Sequence, residues 1–367
     1  MKTIIKRDEL LKALQNVIGA VERRQTLPIL GNILFRASEG VLSLTATDLE
    51  IEIVCIVGSE EDIQDFQTTI PARKIFDICK ALGDGSDIKL TIEENKVIIV
   101  SERSQFTLAT LPAKDFPGLD DIEAQQEFSI PQNALKSLID KTSFAMAQQD
   151  VRYYLNGLLV ELSKGLLKLV ATDGHRLALS EYGVDIDLEF DKQIIIPRKG
   201  VMELARFLDS TDTPVKLILS QNHIRVETDK LSFISKLIDG KFPDYNRVIP
   251  IDGNKLMTVN RELLKKALTR ISILSNEKYR GIRLTLAIGN LAIQANNPDQ
   301  EEAEEELSVD YDEAEIEIGF NVTYIIDILN VLTSENVQVK LKDSNSSCIV
   351  SNVSDPTSLY VVMPMRL

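Results

Sequence analysis

Apolar residues recur at helical spacing in several stretches of the chain. In residues 7–21 they occupy Leu10, Leu11, Leu14, Val17 and Ile18, which fall on one face of a helix. Other stretches alternate apolar and polar residues, which is typical of strands with one buried face. The predicted helices are Arg7–Val21, Ala72–Leu82, Pro131–Ala147, Arg198–Leu208, Arg261–Leu274 and Val322–Leu332. The predicted strands include Val41–Ala46, Lys96–Val100, Gln105–Leu111, Leu166–Ala171, Ile224–Thr228, Leu231–Leu237, Ser347–Ser351 and Leu359–Met363.

The order of these elements repeats along the chain, and short sequence segments repeat with it. The segment LSLTATD at 42–48 returns as LKLVATD at 167–173 and, less closely, as LAIQANN at 291–297. The segments at 70–78, 196–204 and 320–328 form a second set, and DFPG at 115–118 returns as KFPD at 241–244. A unit of this length is a whole domain rather than a solenoid repeat. The sequence therefore predicts an α+β chain of three repeated domains, 1–122, 128–250 and 254–367, each with two helices packed on antiparallel sheets.

Composition narrows the class of protein. The 367 residues are 44% hydrophobic, with three widely separated cysteines at Cys55, Cys79 and Cys348. Neither a signal peptide nor a membrane-spanning apolar run is recognisable, so we expect a cytoplasmic protein with reduced thiols and no membrane contact. Two histidines and no tryptophan leave few groups for metal binding or acid–base chemistry, and we expect no cofactor and no metal.

The net charge of −15 argues against a nucleic-acid partner, because phosphates are bound by lysine and arginine. The basic residues nevertheless concentrate in and near the predicted helices, whereas acidic residues concentrate in strands and loops. One interpretation is a positive surface made of helices. The alternative is that these helix faces are simply solvated and paired with local acids. The helix at 322–332 carries no basic residue and departs from the pattern.

Several long segments resemble the bacterial sliding clamp, the beta subunit of the replicative DNA polymerase. They cover every predicted domain: TLPILGN at 26–32, DVRYYLNG at 150–157, ATDGHRLA at 171–178, IPRKGV at 196–201, LSNEKYRG at 274–281 and YVVMPMRL at 360–367. The resemblance implies a head-to-tail homodimer that forms a closed ring of six domains, with helices inside and sheets outside.

The same resemblance implies a function. The ring would encircle duplex DNA without reading its sequence and would catalyse nothing. It would tether the alpha subunit of the replicative polymerase, the clamp loader, other DNA polymerases and repair proteins through short linear motifs. The alternatives are a scaffold that does not bind DNA and an enzyme that uses Asp173 and His175, although no nucleophile signature accompanies that pair.

The resemblance also assigns a pocket for those motifs. Its residues lie in the second and third domains: Leu155, Thr172, Gly174, His175, Arg176, Leu177, Pro243, Arg247, Val248, Asn321, Tyr324, Ser347, Val361, Val362, Met363, Pro364, Met365 and Arg366. Methionine, valine and leucine would give an adaptable apolar floor. Taken alone, the apolar tail is also typical of a final core strand, except that Pro364 cannot extend a ladder.

Two further sets of residues follow from the resemblance. The ring seam would place Glu301, Glu302, Glu305, Ile273 and Leu274 against Lys74, Lys96, Arg103, Phe106 and Leu108 of the partner. Gln105 stands where relatives often carry a basic residue, and Glu102 adds a like charge, so we expect a weaker seam. The alternative for 301–306 is a solvated acidic loop. Contacts to DNA would come from Arg24, Arg73, Gln149, Tyr153, Tyr154, Arg198 and Lys199, although the two tyrosines could equally begin a buried strand.

Overall fold

The computed structural model describes residues 1–22, 27–58, 63–119, 123–186, 191–251, 253–353 and 355–366, and within them the chain is α+β. The helices are α1 (Arg7–Val17), α2 (Ala72–Ala81), α3 (Gln132–Thr142), α4 (Arg198–Phe207), α5 (Arg261–Ile271) and α6 (Val322–Val331). All six were predicted. The predictions for α1, α3 and α5 ran too long, because each helix ends in a separate 3-10 turn.

Proline or asparagine marks the start of the second helix of each domain, as the sequence indicated. Pro71 precedes α2 and Pro197 precedes α4. At α6 the Asn321 side chain accepts the N–H of Thr323, and at α5 Asn260 accepts that of Leu263. A cap of this kind contributes about 1 kcal/mol, because it satisfies one of the amide groups that the first helical turn leaves without a partner.

Antiparallel strands make up the rest of the architecture. They are β1 (Lys2–Lys6), β2 (Asn32–Ser38), β3 (Val41–Thr47), β4 (Ile51–Val57), β5 (Phe66–Pro71), β6 (Asp87–Ile92), β7 (Lys96–Ser101), β8 (Ser104–Ala109), β9 (Gln126–Pro131), β10 (Gly157–Ser163), β11 (Leu166–Thr172), β12 (Arg176–Gly183), β13 (Lys192–Pro197), β14 (Pro214–Leu219), β15 (His223–Glu227), β16 (Leu231–Lys236), β17 (Lys255–Asn260), β18 (Gly281–Ala287), β19 (Asn290–Asn296), β20 (Glu302–Ser308), β21 (Ile316–Asn321), β22 (Asn336–Leu341), β23 (Cys348–Asn352) and β24 (Ser358–Val362).

The chain divides into two compact units. One comprises Met1–Asn133 and Met202–Leu237, and the other comprises Ala134–Val201 and Ile238–Leu367. The first unit contains a four-stranded sheet, β1-β6-β7-β8, and an eight-stranded sheet, β5-β2-β3-β4-β16-β15-β14-β9. The second unit contains the eight-stranded sheet β13-β10-β11-β12-β24-β23-β22-β17 and the four-stranded sheet β20-β19-β18-β21. Each unit therefore contains one eight-stranded sheet and one four-stranded sheet.

Each eight-stranded sheet is two four-stranded halves joined by one antiparallel strand pair. In the first joint, β4 pairs with β16 so that Glu52 lies opposite Ile234. In the second joint, β12 pairs with β24 so that Leu177 lies opposite Val361. Both joints follow one rule. The last strand in the first half of a domain pairs with the last strand in the second half of the following domain.

The acidic run near residue 301 is not a loop, so that alternative is wrong. Residues 302–308 form β20, the edge strand of the second unit's four-stranded sheet. Their side chains alternate between exposed and half-buried, as expected of a strand that packs one face and leaves the other in water. Tyr153 and Tyr154 likewise begin no strand, because they lie in a 3-10 turn that ends at Leu155.

Candidate functional site

The turn between β11 and β12 is held by its own side chains. The Thr172 hydroxyl donates to the carbonyl of Arg176 at 2.6 Å and accepts the N–H of Gly174 at 3.0 Å. Asp173 Oδ1 accepts the N–H groups of His175 and Arg176 at 2.9 and 3.0 Å. Gly174 has φ 86°, and a Cβ there would lie 2.9 Å from the Arg152 guanidinium. The positive φ favours glycine here, and a larger side chain would also displace the Arg152 guanidinium from its present position.

Arg176 is the most extensively bonded side chain at this turn. Its guanidinium donates to Asp173 at 3.0 Å, to Asp327 of α6 at 2.6 Å and to the carbonyl of Phe144 at 2.8 Å. The guanidinium carbon also lies 4.6 Å from the ring centroid of Tyr324 and 5.3 Å from that of Phe144. A planar cation with fixed donors can serve all these partners at once, which a lysine could not.

A cavity of about 150 Å³ opens beside this turn, within the second unit. Its walls include predicted pocket residues from separate segments: Leu155, Thr172, Gly174, Arg176, Leu177, Pro243, Val248, Val361 and Met363. The floor is continuous with a buried cluster that contains Leu155, Leu177 and Val361. The N–H of Met363 donates to the carbonyl of His175 at 2.9 Å, which fixes the end of β24 against the turn.

Sequence reasoning missed part of the wall. The cavity is also lined by Arg152, Asp244 and Tyr245, and by Tyr154, which was assigned to DNA. The Tyr245 hydroxyl donates to Glu161 at 3.0 Å, and burial with this neighbouring carboxylate raises the pKa of the phenol. The repeat of FPG and FPD pointed to the segment at 242–244, and an aromatic residue directly after it was the available signal.

The other predicted pocket residues lie outside the cavity wall. His175 stacks on Tyr324 with ring centroids 6.5 Å apart, and Tyr324 in turn supports Arg176. Arg247 is exposed and donates to Asp244 at 2.9 Å. Among the remaining members, Asn321 is the N-cap of α6, Ser347 precedes β23 and Val362 ends β24. Pro364, Met365 and Arg366 lie in the tail. Met365 donates its N–H to the carbonyl of Gly319 at 2.8 Å, so the tail continues past the cavity along β21.

The cavity has an apolar floor and is also lined by the charged residues Arg152, Arg176 and Asp244. Arg152 donates to both carboxylate oxygens of Asp150, at 3.0 and 2.9 Å. These bonds from Arg152 lower the pKa of Asp150 to about 2. The ionised Asp150 carboxylate holds Arg152 beside Gly174, and both Arg152 and Arg176 line the cavity. Such a site fits a short peptide with apolar side chains and exposed carbonyl groups.

Asp173 and His175 do not form a catalytic pair in this structure. Asp173 accepts the backbone N–H groups of the turn and the guanidinium of Arg176, while the His175 ring stacks on Tyr324. Across the described ranges, no group of three or more histidine, cysteine, aspartate or glutamate side chains could hold a metal ion.

The residues assigned to the seam lie at two sheet edges. Phe106 and Leu108 are half-buried on β8, the edge of the first unit's four-stranded sheet. In the second unit Ile273 is 75% exposed and Leu274 is half-buried, in the 3-10 turn after α5. Exposed Glu301 and Glu302 begin the edge at β20.

Several charged seam candidates already have partners within the chain. Glu305 of β20 accepts the Arg270 guanidinium of α5 at 3.0 Å, and this pairing lowers the pKa of Glu305. Lys96 lies 3.1 Å from Glu93. Lys74 and Arg103 are exposed, in α2 and in the turn between β7 and β8. An apolar contact at Ile273, unlike contacts of Glu305 or Lys96, would not compete with an ion pair inside the chain.

The DNA candidates in the second unit gather around the loop at 146–156. Gln149 is exposed at φ 56°, and Tyr153 is 57% exposed. Arg198, the first residue of α4, donates to the carbonyl of Met146 at 3.2 Å, and exposed Lys199 follows it. In the first unit, Arg73 is exposed in the first turn of α2. Arg24 lies outside the described residues.

Comparison with known proteins gives a consistent result over the whole chain. Family models of the DNA polymerase III beta subunit match its N-terminal domain at residues 1–120, its central domain at 129–244 and its C-terminal domain at 246–366. The chain is 53% identical to the beta sliding clamp of Pseudomonas putida and 50% identical to that of Escherichia coli, with all of each chain covered.

Solved structures agree. The DNA polymerase III subunit beta of Pseudomonas aeruginosa matches with a TM-score of 0.96 at 53% identity, and its complex with griselimycin matches with 0.97, each over all of both chains. A Caulobacter crescentus beta sliding clamp, described with PEG bound to a putative beta-motif tethering region, matches with 0.95 at 39% identity, covering 100% of this chain and 99% of that one. No helix among the described residues is long and apolar enough to cross a bilayer.

Proposed function

The chain belongs to the DNA polymerase III beta subunit family, the beta sliding clamps, and from this premise we propose that it closes around duplex DNA as a head-to-tail homodimer in the cytoplasm. In this proposal the ring holds the replicative polymerase alpha subunit, the clamp loader, other DNA polymerases and repair proteins on DNA through the cavity beside Arg176. The chain performs no catalysis of its own.

The repeated strand joint carries the proposal of a ring. Two joints inside the chain complete two eight-stranded sheets, and two four-stranded halves remain, ending in β8 and β20. By position in the repeats, β8 corresponds to β16 and β24, whereas β20 corresponds to β4 and β12. Pairing β20 of one copy with β8 of another would complete a third eight-stranded sheet by the same rule. An edge strand that presents unpaired N–H and C=O groups favours such an addition.

The register of this seam follows from the first joint. Within the half-sheets, Thr47 lies opposite Glu52 and Asn296 lies opposite Glu302, so Glu302 is the counterpart of Glu52. The hairpins β7–β8 and β15–β16 each have a two-residue turn, and aligning these turns makes Ser104 the counterpart of Leu231. Transferring the pairing of β4 with β16 then places Glu304 of one copy opposite Gln105 of the next. An uncharged amide there forms a weaker contact with a carboxylate than a basic residue would.

Contacts to DNA in this proposal are few and independent of base sequence. The exposed side chains of Arg73, Gln149, Tyr153 and Lys199 suit phosphate and sugar. The tyrosine face also suits stacking on a base of single-stranded DNA at a primer junction. Retention on DNA would then be topological, and weak contacts would permit sliding.

A loading assay tests the proposal. The protein is loaded onto nicked circular DNA with a clamp loader, and the circle is then cut once. A ring slides off the new ends, so retention on the circle should be lost after cutting. Retention that ignores the cut would contradict encirclement, and a failure to load at all would favour a scaffold that does not bind DNA.

Salt provides an independent measurement. Direct binding to short linear DNA should fall as salt rises, because counterion release contributes its free energy. Retention on the closed circle should persist at the same salt, since linkage is not electrostatic. Equal salt sensitivity on the two substrates would contradict the topological tether.

A further inference from the structure

The first joint repeats the hydrogen bonds that shape the candidate pocket at the second joint. The Thr47 hydroxyl donates to the carbonyl of Ile51 at 2.8 Å and accepts the N–H of Leu49 at 3.1 Å. Asp48 Oδ1 accepts the N–H groups of Glu50 and Ile51 at 2.9 and 2.8 Å. These are the bonds that the threonine and aspartate at 172 and 173 make. The framework of a peptide site is therefore present twice.

One position differs in chemistry between the two frameworks. Leu177, which lines the cavity, lies opposite Thr172 in its own half-sheet and opposite Val361 across the joint. The residue in that place at the first joint is Glu52, opposite Thr47 and Ile234. Glu52 is only 8% exposed. The first joint thus carries a buried carboxylate where the second carries an apolar wall.

This carboxylate is bonded to the segment that follows the repeated FPG sequence. Glu52 Oε2 accepts the N–H of Leu119 at 3.2 Å. By alignment of 115–118 with 241–244, Leu119 corresponds to Tyr245, which lines the cavity at the second joint. Glu52 therefore fixes, at the first joint, the segment whose counterpart forms one wall of the open pocket.

Stability alone does not account for Glu52. Burial raises its pKa, and the Leu119 amide, Arg225 and Arg36 only partly oppose that shift. The fold therefore penalises the charged form of Glu52 relative to water, and a leucine of similar size would avoid the cost of desolvating a charge. The bond from Leu119 to this buried carboxylate suggests a role other than packing.

We propose that Glu52 closes the first joint to peptides, by holding Leu119 across the place where the second joint is open. The inference rests on the proposed function of the second joint as a peptide site. The described residues provide the turn framework twice, and the cavity described above lies beside the second of the two. In this proposal Glu52 determines specificity, because it restricts the binding of partner proteins to the second joint of each chain.

Hydrogen exchange of the full-length protein, followed by mass spectrometry, tests the contact between Glu52 and Leu119 without any ligand. In Glu52→Leu the segment containing Leu119 should exchange about tenfold faster, because the hydrogen bond from the Leu119 N–H to the side chain at position 52 is lost. Glu52→Gln keeps an acceptor oxygen and should fall between. Glu50→Gln, on the exposed side of the same turn, is the matched control and should resemble the wild type. Unchanged exchange at Leu119 in both Glu52 variants would overturn the proposal.

A second arm adds a short peptide that carries one glutamine and three leucines. In the wild type it should protect 172–177 and leave 47–52 unaffected, whereas in Glu52→Leu it should also slow exchange at 47–52. Protection at 172–177 alone in Glu52→Leu would overturn the role of Glu52 in exclusion. If the peptide protects neither joint of the wild type, the proposal that the second joint binds peptides is wrong. Faster exchange at Leu119 in the Glu52 variants would then still show that Glu52 holds Leu119 as a structural contact.

Discussion

Replacing Ile273 by alanine measures the apolar part of the seam. Ile273 is 75% exposed in the chain, and complete burial of an isoleucine is worth about 1.5–3 kcal/mol. Covering the exposed part would contribute roughly 1–2 kcal/mol at each seam, or about 2–4 kcal/mol for a ring with two seams. We therefore expect the dimer dissociation constant to rise roughly 30- to 1000-fold.

Sedimentation velocity over a dilution series gives that constant directly. Ile273 makes little contribution to its own domain, so the thermal unfolding of the separated monomer should not change. Ile288→Ala is the matched control, because Ile288 is 76% exposed in the turn between β18 and β19 and is not among the residues assigned to the seam. A dissociation constant for Ile273→Ala equal to that of Ile288→Ala would refute the seam.

Three other perturbations address the seam and the pocket. Gln105→Arg should tighten the dimer by about 0.4–2 kcal/mol over two seams, through a new ion pair with Glu304, and the gain should vanish in high salt; sedimentation at two salt concentrations checks this. Asp327→Asn should weaken peptide binding about fivefold, since Arg176 loses a charged partner that holds it at the rim; fluorescence polarisation with unchanged affinity would contradict that role. Deleting 363–367 should abolish peptide binding and leave dimerisation intact, and a truncated protein that binds peptide as before would place the pocket elsewhere.

Local patterns predicted much of the fold. Helical spacing located all six helices, and internal repeats identified the repeated domains, because each repeat meets the same packing problem with the same sequence signals. Helix ends were less predictable. Ile18, Phe144 and Ile273 continue the apolar pattern beyond α1, α3 and α5, yet the backbone there tightens to 3-10 turns. Apolar periodicity does not distinguish these two helices over a single turn.

The pocket was predictable only where family resemblance supplied positions. Alternation along a strand gave no reason to bring Leu177 and Val361 together, since strand order between repeats depends on tertiary packing. Arg152 and Asp244 were missed because their role depends on side chains that meet through a turn and a segment far apart in sequence. Glu52 gave no signal either, because a carboxylate within an alternating strand is ordinarily expected in water.

The edge strands β8 and β20 differ from each other, and this difference sets the symmetry of an assembly that joins them. A contact of β20 with β8 is heterologous, so a pair of copies joined once still offers one unused β8 edge and one unused β20 edge. Strand pairing alone would allow such a chain to grow without limit. Closure after two copies must come from the angle that the joints impose, so a substitution that bends an internal joint, for example at the buried Ser180–Ser358 hydroxyl pair (2.9 Å), would produce open filaments or larger rings rather than a weaker dimer.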